Sequence, residues 1–355
     1  MLSLLLYIWH FDNPEPTMYR LLLAAALAAA GSATATAAAY GPELQGFRYP
    51  HPVQQFRFNS QGQTMKMAYM DVKPKGQANG QAIVLLHGKN FCGATWESSI
   101  AALTAAGWRV IVPDQIGFCA STKPPHYQYS FQQLSENTMA LLTKIGVSKV
   151  ALLGHSTGGM LATRFALMYP QAVSHLVMVN PIGLEDWKAL GVPYRSVDQW
   201  FERELKMTAD GVRAYEKSTY YMGRWKPEYE KWVDMLAGLN AGPGHQIVAW
   251  NSALIYDMIY TQPVVHEFPN LKVPVTLMIG DGDTTAIGSD IAPPDVKAKL
   301  GNYKVLGKEA VKRIPQAQLV EFPNMGHAPQ MEEPEQFHKA LLRALDGAKE
   351  PDKAR

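Results

Sequence analysis

Short apolar runs alternate along this chain with longer segments in which apolar residues recur at helical spacing. Such runs predict buried strands, and the segments between them predict helices covering both faces of a mostly parallel sheet. The first two runs are joined by a turn containing Gly62 and predict an antiparallel pair. The pattern therefore predicts an α/β protein with eight strands, at 53–58, 64–72, 82–87, 109–113, 149–153, 175–180, 275–280 and 318–322.

The alternation is interrupted between residues 183 and 272. This segment holds 14 of the 36 aromatic residues and contains no good strand run. We interpret it as a helical lid inserted into a core domain formed by 40–182 and 273–347. Its aromatic residues must both pack on the core and line a pocket, and we take Tyr220, Tyr221 and Trp187 as pocket candidates. Residues 348–355 are expected to form a flexible tail, and an insertion at 287–308 has no assigned role.

The first 39 residues have the pattern of a leader. Arg20 precedes an apolar run at 21–30, and small residues including Ala37 and Ala39 follow. This pattern predicts a secretory signal that starts at Met18 and is cleaved after Ala39. The ten-residue apolar run is too short for an ordinary transmembrane span. We therefore expect an exported protein, periplasmic or secreted, with no stable membrane span in its mature form.

Composition narrows the possible partners. The formal net charge is +2, and 18% of residues are charged. This balance argues against nucleic acid, which selects a basic patch or stripe. The histidines are dispersed and form no cluster with cysteine, so neither a metal nor another cofactor is expected.

The strongest chemical signal is Gly-His-Ser-Thr-Gly at 154–158, between a predicted strand and a predicted helix. A sharp strand-to-helix turn of this kind exposes a nucleophilic serine, here Ser156, at the edge of the sheet. A serine hydroxyl needs a base. His327 lies in a loop directly after the last strand, and loops at the carboxyl ends of parallel strands meet at one edge.

A carboxylate must hold the histidine in the correct tautomer. Asp283 follows the strand at 275–280 and is the favoured partner, because it can turn back towards His327. Asp281, two residues earlier, is the alternative, and Asp186 is a more distant one.

The order Ser156, Asp283, His327 matches that of α/β-hydrolases, and residues 47–345 resemble a lid-bearing member of that family. The sequence His-Gly-Lys-Asn at 87–90 resembles the family's oxyanion loop. This resemblance implies that the backbone N–H groups of Lys89 and Thr157 hold the oxyanion. We expect the Lys89 side chain itself to be a solvated surface group.

The resemblance implies a serine hydrolase, and the aromatic lid favours a hydrophobic carboxylic ester or a lactone as the small-molecule substrate. A C–C bond hydrolase with the same triad is an alternative, although that family usually has tryptophan where this chain has Ala328. A slow-turnover ligand receptor on the same fold is another alternative. The sequence does not determine the oligomeric state.

The two cysteines, Cys92 and Cys119, each follow an apolar strand by a few residues. In the family these two strands are neighbours, and Cys119 replaces a glycine of the loop at 114–121. In an exported chain this placement predicts a disulfide between them.

Overall fold

The computed structural model describes residues 38–347, so the predicted tail and all but the last two residues of the predicted signal lie outside the described residues. Eight strands form a sheet in the order β1-β2-β4-β3-β5-β6-β7-β8. The strands are β1 (Gln54–Ser60), β2 (Gln63–Val72), β3 (Ala82–Leu86), β4 (Arg109–Pro113), β5 (Val150–His155), β6 (Val173–Val179), β7 (Val275–Gly280) and β8 (Ala317–Phe322). β2 pairs antiparallel with β1 and β4, and every other pairing is parallel. The predicted fold class is confirmed.

Eleven α-helices accompany the strands within the described residues. They are α1 (Glu97–Ala105), α2 (Phe131–Lys144), α3 (Thr157–Met168), α4 (Val197–Glu204), α5 (Ala209–Tyr215), α6 (Glu230–Ala241), α7 (His245–Thr261), α8 (Pro294–Lys297), α9 (Tyr303–Arg313), α10 (Pro329–Glu332) and α11 (Pro334–Gly347). None of them combines the length and the apolar character needed to cross a bilayer.

Both faces of the sheet are covered. Along β3, Ile83 and Leu85 belong to an apolar cluster with α1 and α11, whereas Val84 and Leu86 belong to a larger cluster on the other face. Successive side chains of a strand point to opposite faces, so a strand buried on both sides reads as a continuous apolar run. This is why the pattern along the sequence identified the parallel strands.

Helices α4 to α7 lie between β6 and β7 in the chain, within the segment 183–272. A π-helical turn at Glu216–Tyr220 connects α5 to the segment that precedes α6. The insertion at 287–308 contains α8 and the start of α9. The loops that follow β3, β5, β7 and β8 leave one edge of the sheet, where the candidate site lies.

Candidate active site

Ser156 occupies the turn between β5 and α3, with φ +57° and ψ −121°. This left-handed conformation is strained for a residue with a side chain and is typical of functional turns. A Cβ on Gly154 would lie 2.2 Å from the Gly158 carbonyl oxygen, and one on Gly158 would lie 2.1 Å from that of Leu86. Gly154 is therefore needed where β5 meets the start of α3, and Gly158 is needed where α3 packs against the end of β3.

His327 follows β8 and is completely buried. Its backbone N–H donates to the Tyr220 carbonyl at 3.0 Å. Its own carbonyl accepts from Nε2 of His155, the residue before Ser156, at 2.8 Å. These bonds hold the imidazole beside the Ser156 turn.

Asp283 accepts from His327 Nδ1 at 2.6 Å through Oδ2. Because a carboxylate accepts there, Nδ1 carries the proton and Nε2 is left as the acceptor. Among the described residues, Nε2 has no hydrogen-bond partner. Asp283 is held in turn by Asn180 Nδ2 at 2.9 Å and by the backbone and hydroxyl of Thr285.

The structure separates the two carboxylates that the sequence left as alternatives. Asp281 Oδ1 accepts from the Asn324 backbone at 2.7 Å and so anchors the loop that carries His327. Asp186 accepts from His266 at 2.9 Å. Of the three aspartates, Asp283 is the one bonded to His327.

The predicted oxyanion loop lies against the serine. A Cβ on Gly88 would lie 3.0 Å from the Ser156 Cβ, so Lys89 is one residue from that contact. Its N–H donates to no acceptor in the described part of the chain. The N–H of Thr157, at the first position of α3, has no preceding helical carbonyl to bond. Both groups are thus available to an oxyanion.

Two further histidines support the site. His87 Nδ1 donates to the Gly88 carbonyl at 2.9 Å, and its Nε2 accepts from the Gln115 N–H. Burial lowers the pKa of His155 well below its ordinary value, and the neighbouring His327 adds to this effect. His155 therefore stays neutral and acts as a fixed donor. Sequence reasoning missed these roles, although both residues stand inside the motifs it used.

The inserted segment contacts the site through Tyr220. Its ring lies 4.7 Å from the His327 ring, and its hydroxyl accepts from Asn90 Nδ2 at 2.8 Å. The other two pocket candidates are buried: the Tyr221 ring stacks on that of Tyr229 with centres 3.8 Å apart, and Trp187 Nε1 donates to Glu185.

The expectation for the Lys89 side chain was wrong. It is 9% exposed, and its ammonium bonds Glu204 and Ser252 of the inserted helices instead of facing solvent. The sequence pattern could not show this, because both partners are more than 100 residues away in the chain.

Two cavities adjoin the oxyanion loop. The first encloses about 40 Å³ and the second about 290 Å³. Ser156 and His327 line neither, and Ser156 is 6% exposed. The apolar lining of the first cavity, which sequence reasoning missed, includes Phe91, Met207, Met235, Leu239, Val248 and Ile255.

Cys92 and Cys119 form a disulfide beside the first cavity. With Asp114 they also make up the one group of potential metal ligands that comes together in residues 38–347. The two sulfur atoms are bonded to each other, and Asp114 accepts from the backbones of Gly93 and Ala120. This group therefore serves the loops and not a metal.

Comparison with known proteins supports the same fold. Residues 81–221 match the family model of the α/β hydrolase fold. The solved structure of a probable hydrolytic enzyme from Pseudomonas aeruginosa PAO1 is 60% identical, covers 87% of this chain and 99% of its own, and superposes with a TM-score of 0.86. The chain belongs to the α/β-hydrolase fold family.

More distant relatives of this α/β-hydrolase are named for different activities. A cis-3-alkyl-4-alkyloxetan-2-one decarboxylase from Xanthomonas campestris is 31% identical over 41% of this chain and 52% of its own. A thermophilic esterase from Thermogutta terrifontis is 23% identical, covers 84% of this chain and 100% of its own, and has a TM-score of 0.61. At that identity, the likeness shows the fold alone.

Proposed function

We propose that this α/β-hydrolase is a serine hydrolase that cleaves a hydrophobic carboxylic ester or a lactone. Ser156 is the nucleophile, His327 the general base and Asp283 the group that orients the base. The observation that carries the proposal is the 2.6 Å bond from His327 Nδ1 to Asp283, which leaves the buried Nε2 as a free acceptor beside the Ser156 turn.

In the proposed reaction, Ser156 Oγ attacks the substrate carbonyl carbon while its proton moves to His327 Nε2. The carbonyl oxygen becomes an oxyanion, and the N–H groups of Lys89 and Thr157 stabilise it. His327 then gives the proton to the leaving alcohol. A water molecule, deprotonated by His327, hydrolyses the acyl-enzyme and restores Ser156.

The walls of the first cavity support an apolar substrate. Apolar side chains of leucine, methionine, phenylalanine, valine, isoleucine and the disulfide line most of it. A volume of about 40 Å³ is far below the roughly 300 Å³ at which ligand pockets begin. Because Ser156 is 6% exposed and lines neither cavity, we infer that the inserted helices move to admit a substrate. The oxetanone decarboxylase is named for a cyclic ester, which supports testing lactones.

We also propose that the protein is exported from the cytoplasm. A disulfide between Cys92 and Cys119 is stable in an oxidising compartment, and this supports the secretory signal expected before Tyr40.

The decisive test compares Ser156→Ala with Ser98→Ala, a change at an exposed serine of α1. Ser156→Ala should lose hydrolysis of p-nitrophenyl butyrate and labelling by a fluorophosphonate, because both need the nucleophile. It should keep its free energy of unfolding within about 1 kcal/mol, since a turn serine contributes little packing. Ser98→Ala should match the wild type in all three measurements.

Retention of more than about a tenth of the activity by Ser156→Ala would exclude this nucleophile. The wild type should also be assayed on lactones, amides, epoxides and vinylogous 1,5-diketones. Activity confined to the last class would indicate a C–C bond hydrolase. Stoichiometric labelling without turnover of any substrate would indicate a ligand receptor.

A further inference from the structure

The side chain of Lys89 joins the oxyanion loop to the inserted helices. Its Nζ lies 3.3 Å from Glu204 Oε2 at the end of α4 and 2.6 Å from Ser252 Oγ on α7. It also lies 3.6 Å from the centre of the Tyr256 ring, one turn further along α7. Ser252 Oγ donates to the same Glu204 oxygen, so the three polar groups form a closed cluster.

This ion pair differs from the others in the described residues by its burial. Lys89 and Glu204 are 9% and 3% exposed, and the only other pair with both side chains below a tenth is His327 with Asp283. Burial lowers the pKa of the Lys89 ammonium, and the Glu204 carboxylate opposes this effect. Removing one partner of such a pair leaves an uncompensated buried charge, so the two charges hold each other in place.

The cluster stands where the two cavities meet. Both cavities are lined by Asn90 and Glu204, and the Lys89 side chain lines the first. Movement of α4 and α7 away from the core would therefore separate Glu204 from Lys89 and enlarge the small first cavity. Closure would bring the charges together again.

We propose that Lys89 is a positioning residue: its side chain ties the oxyanion loop to α4 and α7, so that closure of the inserted helices sets the oxyanion hole. The proposal rests on the proposed function, in which the backbone N–H of the same residue donates to the oxyanion. One residue thus carries both the donor and the anchor that fixes it. In the open enzyme the Lys89 N–H is not held in position when substrate binds. In the closed enzyme the Lys89 side chain aligns this N–H with the oxyanion.

The alternative use of a buried cation is to bind an acidic substrate. Lys89 is poorly suited to that use because Glu204 already neutralises it at contact distance. The two roles differ in kinetics. Loss of a substrate cation raises KM for acidic esters, whereas loss of an anchor for the hole lowers kcat for neutral ones.

The central variant is Lys89→Met, which keeps the apolar stem and removes the ammonium. We expect kcat for p-nitrophenyl butyrate to fall about 100-fold, the effect of misplacing a catalytic group by about 1 Å. KM should change less than about threefold. The inhibition constant of a trifluoromethyl ketone should rise by the same factor as kcat/KM falls, because the adduct of that inhibitor needs the same hole.

Supporting variants separate positioning from folding. Lys89→Arg keeps the charge and should recover most of the lost kcat. Glu204→Gln should lower kcat in the same direction, and Lys89→Met with Glu204→Gln should be no worse than Lys89→Met alone. The matched control is Lys231→Met, which breaks the half-exposed Lys231–Glu97 pair that also joins an inserted helix to the core. This control should retain wild-type kinetics.

A Lys89→Met enzyme with kcat within threefold of the wild type would overturn the proposal, whatever its thermal stability. So would an effect on KM alone, which would indicate substrate binding instead. If Lys89→Met does not fold, Ser252→Ala and Glu204→Gln give the same test. A wild type that neither hydrolyses esters nor reacts with fluorophosphonate would instead refute the proposed function, which keeps the two failures distinct.

Discussion

Asp283 accepts four hydrogen bonds, and this number fixes its identity as a carboxylate. Oδ2 accepts from His327 and Asn180, and Oδ1 accepts from the backbone and the hydroxyl of Thr285. Asparagine has a single acceptor oxygen, so one pair of donors would face its NH2 group. Asp281 accepts one backbone bond, which an asparagine oxygen can replace.

Asp283→Asn should therefore lower kcat by a factor on the order of 10⁴ by disturbing the tautomer of His327. Asp281→Asn should lower it less than about tenfold. Steady-state kinetics on p-nitrophenyl butyrate measure both variants. The reverse order of effects would show that Asp281 orients the base.

The π-helical turn at Glu216–Tyr220 is the element that delivers Tyr220 to His327. Turns of this kind are rare and are found frequently at functional sites. Glu216, the first residue of this turn, is fully buried. Within the described residues, neither of its carboxyl oxygens has a hydrogen-bond partner. Burial, and then the charge of Glu230, raise the pKa of Glu216 to about 8.

The sign of the stability effect follows from this shift. The folded pKa is above the unfolded value, so the folded state holds its proton while the unfolded chain ionises. Stability is highest below the unfolded pKa of about 4.5 and decreases as pH rises towards about 8. Glu216→Gln removes the ionisation. We expect the free energy of unfolding of the variant, relative to that of the wild type, to rise by roughly 3 to 4 kcal/mol between pH 5 and pH 8.

Urea unfolding at pH 5, 6.5 and 8 measures this difference. Glu228→Gln, at an exposed glutamate of the same inserted segment, is the control and should show no pH-dependent gain. A constant difference between Glu216→Gln and the wild type would mean that Glu216 is ionised in the folded protein.

At the scale of the molecule, the Cys92–Cys119 disulfide links the loops that follow β3 and β4, which are neighbours in the sheet. The first of these loops carries Lys89. Cys119 has a φ of +45°, in the region that favours glycine. The disulfide to Cys92 explains why position 119 carries a cysteine and not a glycine.

Replacing both cysteines by alanine should lower the free energy of unfolding by roughly 3 to 4 kcal/mol, from the chain entropy of a 27-residue separation. Alanine keeps the strain at position 119, so the difference reports the cross-link. Urea unfolding measures it, and kcat should fall as the oxyanion loop loosens. Two free thiols in the denatured, unreduced wild type would contradict the disulfide.

The sequence by itself determined the features that depend on neighbouring residues. The continuous apolar runs identified the strands of the sheet, because strands covered on both faces alternate between two apolar clusters. Gly154 and Gly158 around Ser156 identified the turn, because a side chain at either position would collide with backbone. The loop after β8 identified His327, because parallel strands end at one edge.

Only the tertiary structure decided the features that depend on distant segments. The sequence favoured Asp283 over Asp281 as the partner of His327, and the structure decided between them: Asp283 bonds His327 and is also held by Asn180, which follows β6. The burial of Lys89 depends on Glu204 and Ser252, and its sequence context alone suggested a solvated lysine. Local patterns fix which backbone conformations are allowed, whereas the partner of a buried charge is fixed by the packing of elements more than 100 residues apart.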